Sequence, residues 1–397
     1  MSKWAKARLG DCCLENGIQT GPFGSQLHQS DYSEVGTPVI MPKDIRDGRV
    51  VEEGIARVGE VHIRRLARHR VAKNNIVYPR RGDVGKAAFI TEKEVGWLCG
   101  TGCLKVDLNE DVVDPVFVRY FLALNDSVCW LEKHAVGSTM LNINAGILAD
   151  LPIALPPLPM QRRIATILSD YDSAIDNARR QIALLEEAAM RLYREWFVVH
   201  TDQKWENGAV RKWFEITIGR TPPRKIAANF SESATDQKWC SIKDLQNSNI
   251  FISETAERLT KQGVDSSKIH ISPAGTIFLS FKLTVGKVAI TLEPMATNEA
   301  IAHFETTDRA LRDYTYCYLH EFQYDTLGST SSIGKAINSE IVRDMPFVMP
   351  DAKTLTRFSD MVSPIFDQIQ NSVVFIRTLT EARDRLLPKL MSGEVSV

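Results

Sequence analysis

The chain has 397 residues, 44% of them hydrophobic and 24% charged, with a formal net charge of −1. That length suits two or three domains with cores of their own, and the composition is that of a globular protein. No apolar run approaches the ~18 residues of a membrane span, and Met1 to Leu14 lacks the apolar stretch of a signal peptide, so no membrane partner is expected. Seven cysteines without framework spacing point to reduced thiols and a cytoplasmic home.

Taken in order, the chain opens on a first lobe, residues 1–155. Gln19-Thr20-Gly21-Pro22-Phe23-Gly24-Ser25 carries two glycines and a proline, the composition of a turn that exposes its backbone. Thr37 to Pro42 reads as a short strand ending at Lys43-Asp44-Ile45. Asn75 to Phe89 reads as two strands joined by the basic, glycine-bearing turn Arg80-Arg81-Gly82-Asp83-Val84-Gly85-Lys86. Val116 to Leu124 has helical apolar spacing. Gly137-Ser138-Thr139, an asparagine-bearing loop and the proline-punctuated Leu151 to Pro159 close the lobe.

From residue 156 to 200 the pattern changes. Ile164, Leu168, Tyr171, Ile175, Ala178, Ile182, Leu185, Ala189, Leu192 and Trp196 follow alternating spacings of four and three, the a/d pattern of a helix with one apolar stripe. Pro159 suits its first turn, and roughly 40 residues at ~1.5 Å each would make it about 60 Å long.

A second lobe, residues 201–349, repeats the order of the first. Ile218-Gly219-Arg220-Thr221-Pro222-Pro223-Arg224 stands where the glycine-proline turn stood, and Lys243-Asp244 answers Lys43-Asp44. Thr284-Val285-Gly286-Lys287-Val288 answers Asp83-Val84-Gly85-Lys86-Ala87, and Gly328-Ser329-Thr330 answers Gly137-Ser138-Thr139. Residues 350–397 then repeat the apolar stripe as Phe358, Val362, Ile365, Ile369, Ile376, Leu379, Leu386 and Leu390, with Ser372 and Arg383 the polar exceptions. Pro364 should kink this helix or divide it at Ser363, Pro388 should bend or fray its end, and Gly393 should stop it.

From Ile143 onward the second half follows the first at a constant offset of 194 residues. Ile143-Asn144 matches Ile337-Asn338, Asp150 matches Asp344, Pro152 matches Pro346, Leu185 matches Leu379 and Arg191 matches Arg385. The chain is therefore read as a tandem duplication of a mixed α/β (α+β) lobe followed by a long helix. Each stripe needs a cover, and the simplest cover is the other stripe, so an antiparallel coiled coil with a pseudo-two-fold relation is expected. Its packing residues are Ile164, Leu168, Tyr171, Ile175, Ile182, Leu185 and Leu192 against Phe358, Val362, Ile365, Ile369, Ile376, Leu379 and Leu386. Lobes at the ends of such a strut would be held one to two turns of DNA apart, at ~3.4 Å per base pair.

The neutral net charge hides local excess. Between Val61 and Lys86 eight basic residues face the single acid Asp83, and Arg211, Lys212, Arg220, Arg224 and Lys225 face only Glu215. Such patches can bind phosphates on a neutral protein. Catalytic signals are missing. Pro156-Pro157 sits between leucines, without the Asn/Asp and aromatic residue of an aminomethyltransferase motif, and Gly82 to Ala87 falls short of a phosphate-binding loop. Cys99 and Cys103 have no second ligand pair, and the eight histidines show no paired ligand spacing, so no metal is expected.

Ile153-Ala154-Leu155-Pro156-Pro157-Leu158-Pro159-Met160-Gln161-Arg162-Arg163-Ile164 and Leu386-Leu387-Pro388-Lys389-Leu390-Met391-Ser392-Gly393-Glu394 resemble the specificity subunits of type I restriction–modification systems. Gly21-Pro22-Phe23-Gly24-Ser25 and Lys43-Asp44-Ile45 are also similar to stretches of that family, and the likeness runs over essentially the whole length. The second proline-rich segment departs from it, being only Met349-Pro350-Asp351, with Thr354-Leu355-Thr356 in place of the usual glutamine-bearing sequence. The resemblance implies two target-recognition domains, each reading half of a bipartite double-stranded DNA sequence. It also implies helices that set the spacer and bind two methyltransferase subunits, and motor-nuclease subunits that join that core. Chemistry would lie with those partners, which use S-adenosylmethionine, ATP and Mg; this chain would bind no cofactor and be no enzyme. The contacts expected are Thr20, Gly21, Phe23, Ser25, Lys43, Arg80, Arg81 and Lys86 in the first lobe, and Arg220, Thr221, Arg224, Lys243, Lys282 and Lys287 in the second. Two other readings stay open: a two-lobed adaptor that recognises protein, and a self-contained enzyme.

Overall fold

The computed structural model describes residues 4–137, 140–200, 204–327 and 337–397. Ser138-Thr139 and Gly328-Ser329-Thr330, expected to repeat one another, lie outside them. The chain forms two compact units, one made of the residues up to Ala174 together with Leu379–Val397, the other of Ile175–Thr378. Each unit is thus a mixed helix-and-sheet lobe with a length of both long helices packed on it.

In the first unit, Ala5–Arg8 pairs antiparallel with Pro152–Leu155 and so ties the start of the lobe to its end. The central sheet has the order Cys13–Thr20, Cys103–Leu108, Ile76–Pro79, Ala88–Phe89, all antiparallel. A second sheet runs Leu98–Cys99, Thr37–Ile40, Ala56–Val58, Tyr32–Ser33, with one parallel pair between Leu98–Cys99 and Thr37–Ile40. Ile76, Val77, Tyr78 and Pro79 are all buried, so this strand reads as a continuous apolar run rather than as alternation.

The other unit repeats this plan. Glu206–Ala209 closes on Pro346–Met349, and the central sheet runs Ile216–Ile218, Ile301–Phe304, Ile277–Ser280, Val288–Thr291. Phe251–Ile252 adds a fifth, parallel strand at its edge. Phe230–Ser231, Glu257–Leu259, Gln237–Cys240 and Ala296–Thr297 form the second sheet, again with one parallel pair.

The helix starts show why particular residues recur at the 194-residue offset. Asp114 caps Pro115–Leu122 by accepting from the Phe117 N–H at 2.8 Å, and Asp308 caps Arg309–Glu321 by accepting from the Ala310 and Leu311 N–H groups. Asn144 accepts from the Ile147 N–H and Asn338 from the Ile341 N–H, at 2.8 and 3.0 Å. First-turn N–H groups have no partner inside a helix, so a short side-chain oxygen at each start is hard to replace.

The first long helix spans Leu158–Tyr193 and continues through a π-helical turn, Arg194–Val199. The second spans Ala352–Ser392 without interruption, so the expected division at Ser363 and the fraying at Pro388 do not occur. Val362 and Phe366 are fully buried on either side of Pro364, and the Arg309 guanidinium donates to the Ser363 carbonyl at 3.0 Å. Packing on both flanks holds the helix through the missing N–H, and the exposed ring faces solvent. Beyond Pro388, Leu390 and Met391 are buried in the same way. Gly393, at φ +74°, takes the left-handed conformation that ends the helix.

Within Ile175–Thr378 the two helices run antiparallel. Phe197 packs edge-on against Phe358 at 4.9 Å and Arg357 lies over the Trp196 ring, while Arg179 shares a cleft with Val373 and Ile376. Tyr314 from the lobe joins this cluster at 4.8 Å from Phe197, so lobe and helices share one core. At another pair of helix positions the first unit is polar. Asp172 accepts from Arg383 at 2.6 Å, Tyr120 at 2.6 Å and Arg119 at 3.0 Å. The residues 194 positions away, Phe366 for Asp172 and Ala189 for Arg383, are both fully buried and apolar.

Burial raises the Asp172 carboxyl, but hydrogen bonds from Tyr120 and Arg383 and the charges of Arg119 and Arg383 bring it below its ordinary 3.8. A carboxyl depressed by folding adds stability that is present above the unfolded value and is lost as pH falls through the folded one. Asp172→Asn should therefore cost about 3 kcal/mol at pH 7, because Arg119 loses its carboxylate and Arg383 is left with exposed Asp384 alone. Thermal melts between pH 7 and pH 3 should show the variant's deficit shrinking as the wild-type carboxyl protonates; a deficit independent of pH would contradict this account.

Candidate nucleic-acid interface

In the first lobe, a cleft of about 410 Å³ is lined by Pro42, Lys43, Ile45, Arg46, Pro79, Arg81, Asp83 and Lys86. The strand ending at Pro79 delivers the basic turn to one side. On the other side stand the 3-10 turn Pro42–Asp44 and the hairpin of Ile45–Arg46 with Arg49–Val50. Asp44 holds its turn by accepting from the Met41 N–H at 2.9 Å, which leaves Lys43 pointing to solvent with its ammonium donating to the Gly54 carbonyl at 3.3 Å. Lys86 pairs with Asp83 at 2.7 Å, both exposed. Four cations thus share the cleft with one acid. Arg46 was not among the expected contacts: nothing in its local sequence distinguishes it, and the hairpin turn at Asp47-Gly48, both at positive φ, is what carries it here.

The remaining first-lobe residues take other places. Gly21 is buried, with its N–H donating to Cys103 at 2.9 Å, and a Cβ there would stand 2.0 Å from the Gly100 carbonyl oxygen. This glycine serves a close crossing of two chain segments. Phe23, 55% exposed, and Ser25 lie on the outer part of that loop, and Thr20 is half-buried behind it. Arg80 is half-buried, and its Nε is enclosed without a hydrogen-bond partner among the described residues.

In the second lobe, Glu299 gathers three of the expected residues. Thr221 donates to its carboxylate, and the charges of Lys282 and Arg224 act on it, which together hold the carboxyl below its usual range. Arg224 also pairs with both oxygens of Glu257, at 2.5 and 2.9 Å, and lies over Phe230 and Trp239. Arg220 donates to the Ser267 carbonyl at 3.0 Å. Lys243 is exposed on Ile242–Gln246, and Lys282 is exposed with its ammonium 5.3 Å from the Phe281 ring. Lys287 is different: half-buried, it donates to the Ser248 carbonyl at 2.6 Å, and burial lowers its pKa. Gly219 repeats the role of Gly21, with a Cβ meeting Thr297 Oγ1 at 2.0 Å.

Two clusters bear on metal chemistry. Cys99 and Cys103 are buried free thiols, and burial pushes Cys99 up to about 12 and Cys103 well above its ordinary value, the reverse of what a thiolate ligand needs. The fold brings His270 and Glu305 beside His303 of the strand Ile301–Phe304, with ligand atoms within 4.8 Å, although their sequence spacing carries no ligand signature. His303 is fully buried between the Thr217 and Thr297 hydroxyls, at 2.9 and 2.6 Å, and burial lowers it to about 3. His270 is hydrogen-bonded to Glu305 at 2.5 Å. Both ring nitrogens of His303 are thus engaged by threonine hydroxyls, while exposed His270 and part-buried Glu305 pair beside it.

The sequence matches the family described as type I restriction modification DNA specificity domain over residues 1–187 and 202–372. It is 23% identical to the type I restriction enzyme MjaIX specificity subunit of Methanocaldococcus jannaschii, over 91% of this chain and 87% of that protein. Against the HindI specificity subunit of Haemophilus influenzae it is 21% identical, over 83% of this chain and 88% of the other. In fold it is similar to the type I restriction–modification S subunit from M. genitalium, with a TM-score of 0.56 at 14% identity, over 98% of this chain and 96% of that one.

Because a methyl group at either crossing would overlap its neighbour, Gly21→Ala and Gly219→Ala should each destabilise by about 1–3 kcal/mol. Denaturant unfolding followed by lobe-specific hydrogen exchange should show the first change loosening the strands around Cys103 and the second those around Ile301.

Proposed function

The chain belongs to the type I restriction–modification DNA specificity family, and from that premise we propose that it reads a bipartite double-stranded DNA target, one half-site per lobe. The observation that carries this reading is the first-lobe cleft, where Lys43, Arg46, Arg81 and Lys86 converge with Asp83 as the single acid. Cations in that number with little internal compensation suit the phosphate backbone, which supplies most of the affinity of such contacts. Arg81 and Lys43, exposed on opposite walls, are the first choices for contact, with Lys243 and Lys282 in the second lobe. Thr20, Phe23, Ser25, Arg80, Arg220, Thr221 and Arg224 stand behind them. Gly21, Gly219 and Lys287 shape the lobes that present these groups.

Duplication supports the split target. Two lobes on one scaffold, with caps kept and surface residues changed, suit two readers of different sequences better than two copies of one catalyst. The long helices would set the spacer and dock two adenine-N6 methyltransferase subunits, with motor-nuclease subunits completing a cytoplasmic complex. S-adenosylmethionine, ATP and Mg would belong to those partners, and this chain would carry out no chemistry. None of its described helices is long and apolar enough to cross a membrane.

The test is to map methylated adenines in cells carrying the chain with its methyltransferase, then to measure binding of the mapped duplex over a salt series. Arg81→Ala should relax one half-site only, or weaken every duplex alike and lower the salt slope by about 1. Altered reading of the half-site assigned to the other lobe would contradict one lobe per half-site. Salt-insensitive binding to a protein, with none to DNA, would favour an adaptor instead.

A further inference from the structure

Leu283 stands at the tip of the loop joining Ile277–Ser280 to Val288–Thr291, and it is 90% exposed, more than any other large apolar side chain among the described residues. Its φ is +65°. The other non-glycine residues at positive φ are Asn16, Asp47, Asn74 and Lys268. Asn and Asp tolerate the left-handed region because their short side chains can bond locally, and Lys268 terminates a helix, where that conformation is common. Leucine has neither compensation, and its Cβ meets the following carbonyl at a cost of about 1–2 kcal/mol.

The duplication shows what the backbone alone would prefer. Thr284-Val285-Gly286-Lys287 corresponds to Asp83-Val84-Gly85-Lys86, so Leu283 corresponds to Gly82 and Lys282 to Arg81. Gly82 has φ +84°, so the first lobe makes the same left-handed turn with the residue suited to it. Leucine in the second lobe is costly both in backbone strain and in exposed apolar surface.

The loop is held in place. Phe281 N–H donates to Ala300 at 3.0 Å, Gly286 N–H to Ser280 at 2.9 Å, Thr284 N–H to Lys282 at 2.8 Å, and Gln246 bonds the Thr284 hydroxyl. The isobutyl group therefore projects from a fixed base, next to the Lys282 ammonium. A protein-docking anchor would be expected to sit within a broad apolar patch, whereas Leu283 has only Val285, 40% exposed, beside it in the loop, and an apolar projection next to a cation matches the side chains that wedge between bases while neighbouring cations hold the backbone. Resting on the DNA-reading function above, we propose that Leu283 inserts into the base stack of the half-site read by the second lobe, opening one base step.

The probe is a duplex of the sequence that the full chain, with its methyltransferase partner, enriches from a random pool, with 2-aminopurine walked through both half-sites. The unmutated complex should brighten 2-aminopurine at one step other than the adenine that becomes methylated. Leu283→Gly should abolish that brightening and weaken binding by about tenfold or more, while its melting temperature equals or exceeds that of the unmutated chain; Leu283→Phe should keep the brightening. The fluorescence decides. Brightening that survives in Leu283→Gly, or that is absent from the unmutated complex, overturns the wedge and leaves DNA reading intact. Loss of the methyltransferase from Leu283→Gly with DNA fluorescence unchanged makes Leu283 a protein contact and also overturns it. If the unmutated chain enriches no duplex, the DNA reading falls and the wedge falls with it.

Discussion

A helix of more than thirty residues with an apolar stripe persists in water only where the stripe is covered, and the structure meets that requirement inside each compact unit. The cover comes from two sources at once. Phe358 meets Phe197 from the first long helix, and both lie in a core that includes Tyr314 from the lobe. Ile164 and Leu168 share a core with Leu390 and Met391 and with the lobe helix carrying Phe117 and Tyr120. Lobe and helices cannot be separated without exposing these side chains, so the orientation of each lobe's loops is tied to the helices beneath it.

Duplication makes the two units a comparison of what can change. Asp114 and Asp308, and Asn144 and Asn338, perform the same capping at the same offset, because an uncapped first turn leaves N–H groups without partners in a crowded place. The closing strand pairs are likewise retained. By contrast, one unit buries Asp172 with Arg383, Arg119 and Tyr120 where the other buries Phe366 and Ala189. An ion cluster and an apolar contact can fill the same space, but they cannot be mixed, since either charge alone among apolar groups would be heavily penalised.

The lobes spend their charges differently. In the first, the basic turn and the Lys43 turn face a common cleft, where four cations share one acid. In the second, Glu299 and Glu257 compensate Arg224 internally, and Lys287 is drawn inward to the Ser248 carbonyl. Identical residue types at corresponding positions, Lys86 and Lys287, therefore have different surroundings. Among the described residues the second lobe adds a parallel strand, Phe251–Ile252, beside Val288–Thr291, and the Ser248 carbonyl that takes Lys287 lies just before it.

Much of the architecture was open to reading from residue order alone. The heptad stripes, the constant offset and the turn glycines are local or periodic signals, and they define two lobes and two long helices because periodicity of 3.5 and the conformational freedom of glycine act over a few residues. The uninterrupted second helix was not open to such reading, since Pro364 is tolerated only because Val362, Phe366 and Arg309 hold the chain on both sides. Nor was the partition of the cations: Arg46, Arg81 and Lys43 share a cleft, and Lys287 does not face solvent freely, for reasons that lie tens of residues away in the chain. What the sequence by itself determined was the repeated scaffold and its family. Which charges remain available to a ligand was decided only by tertiary structure, because compensation of a charge depends on neighbours brought together by folding rather than on spacing along the chain.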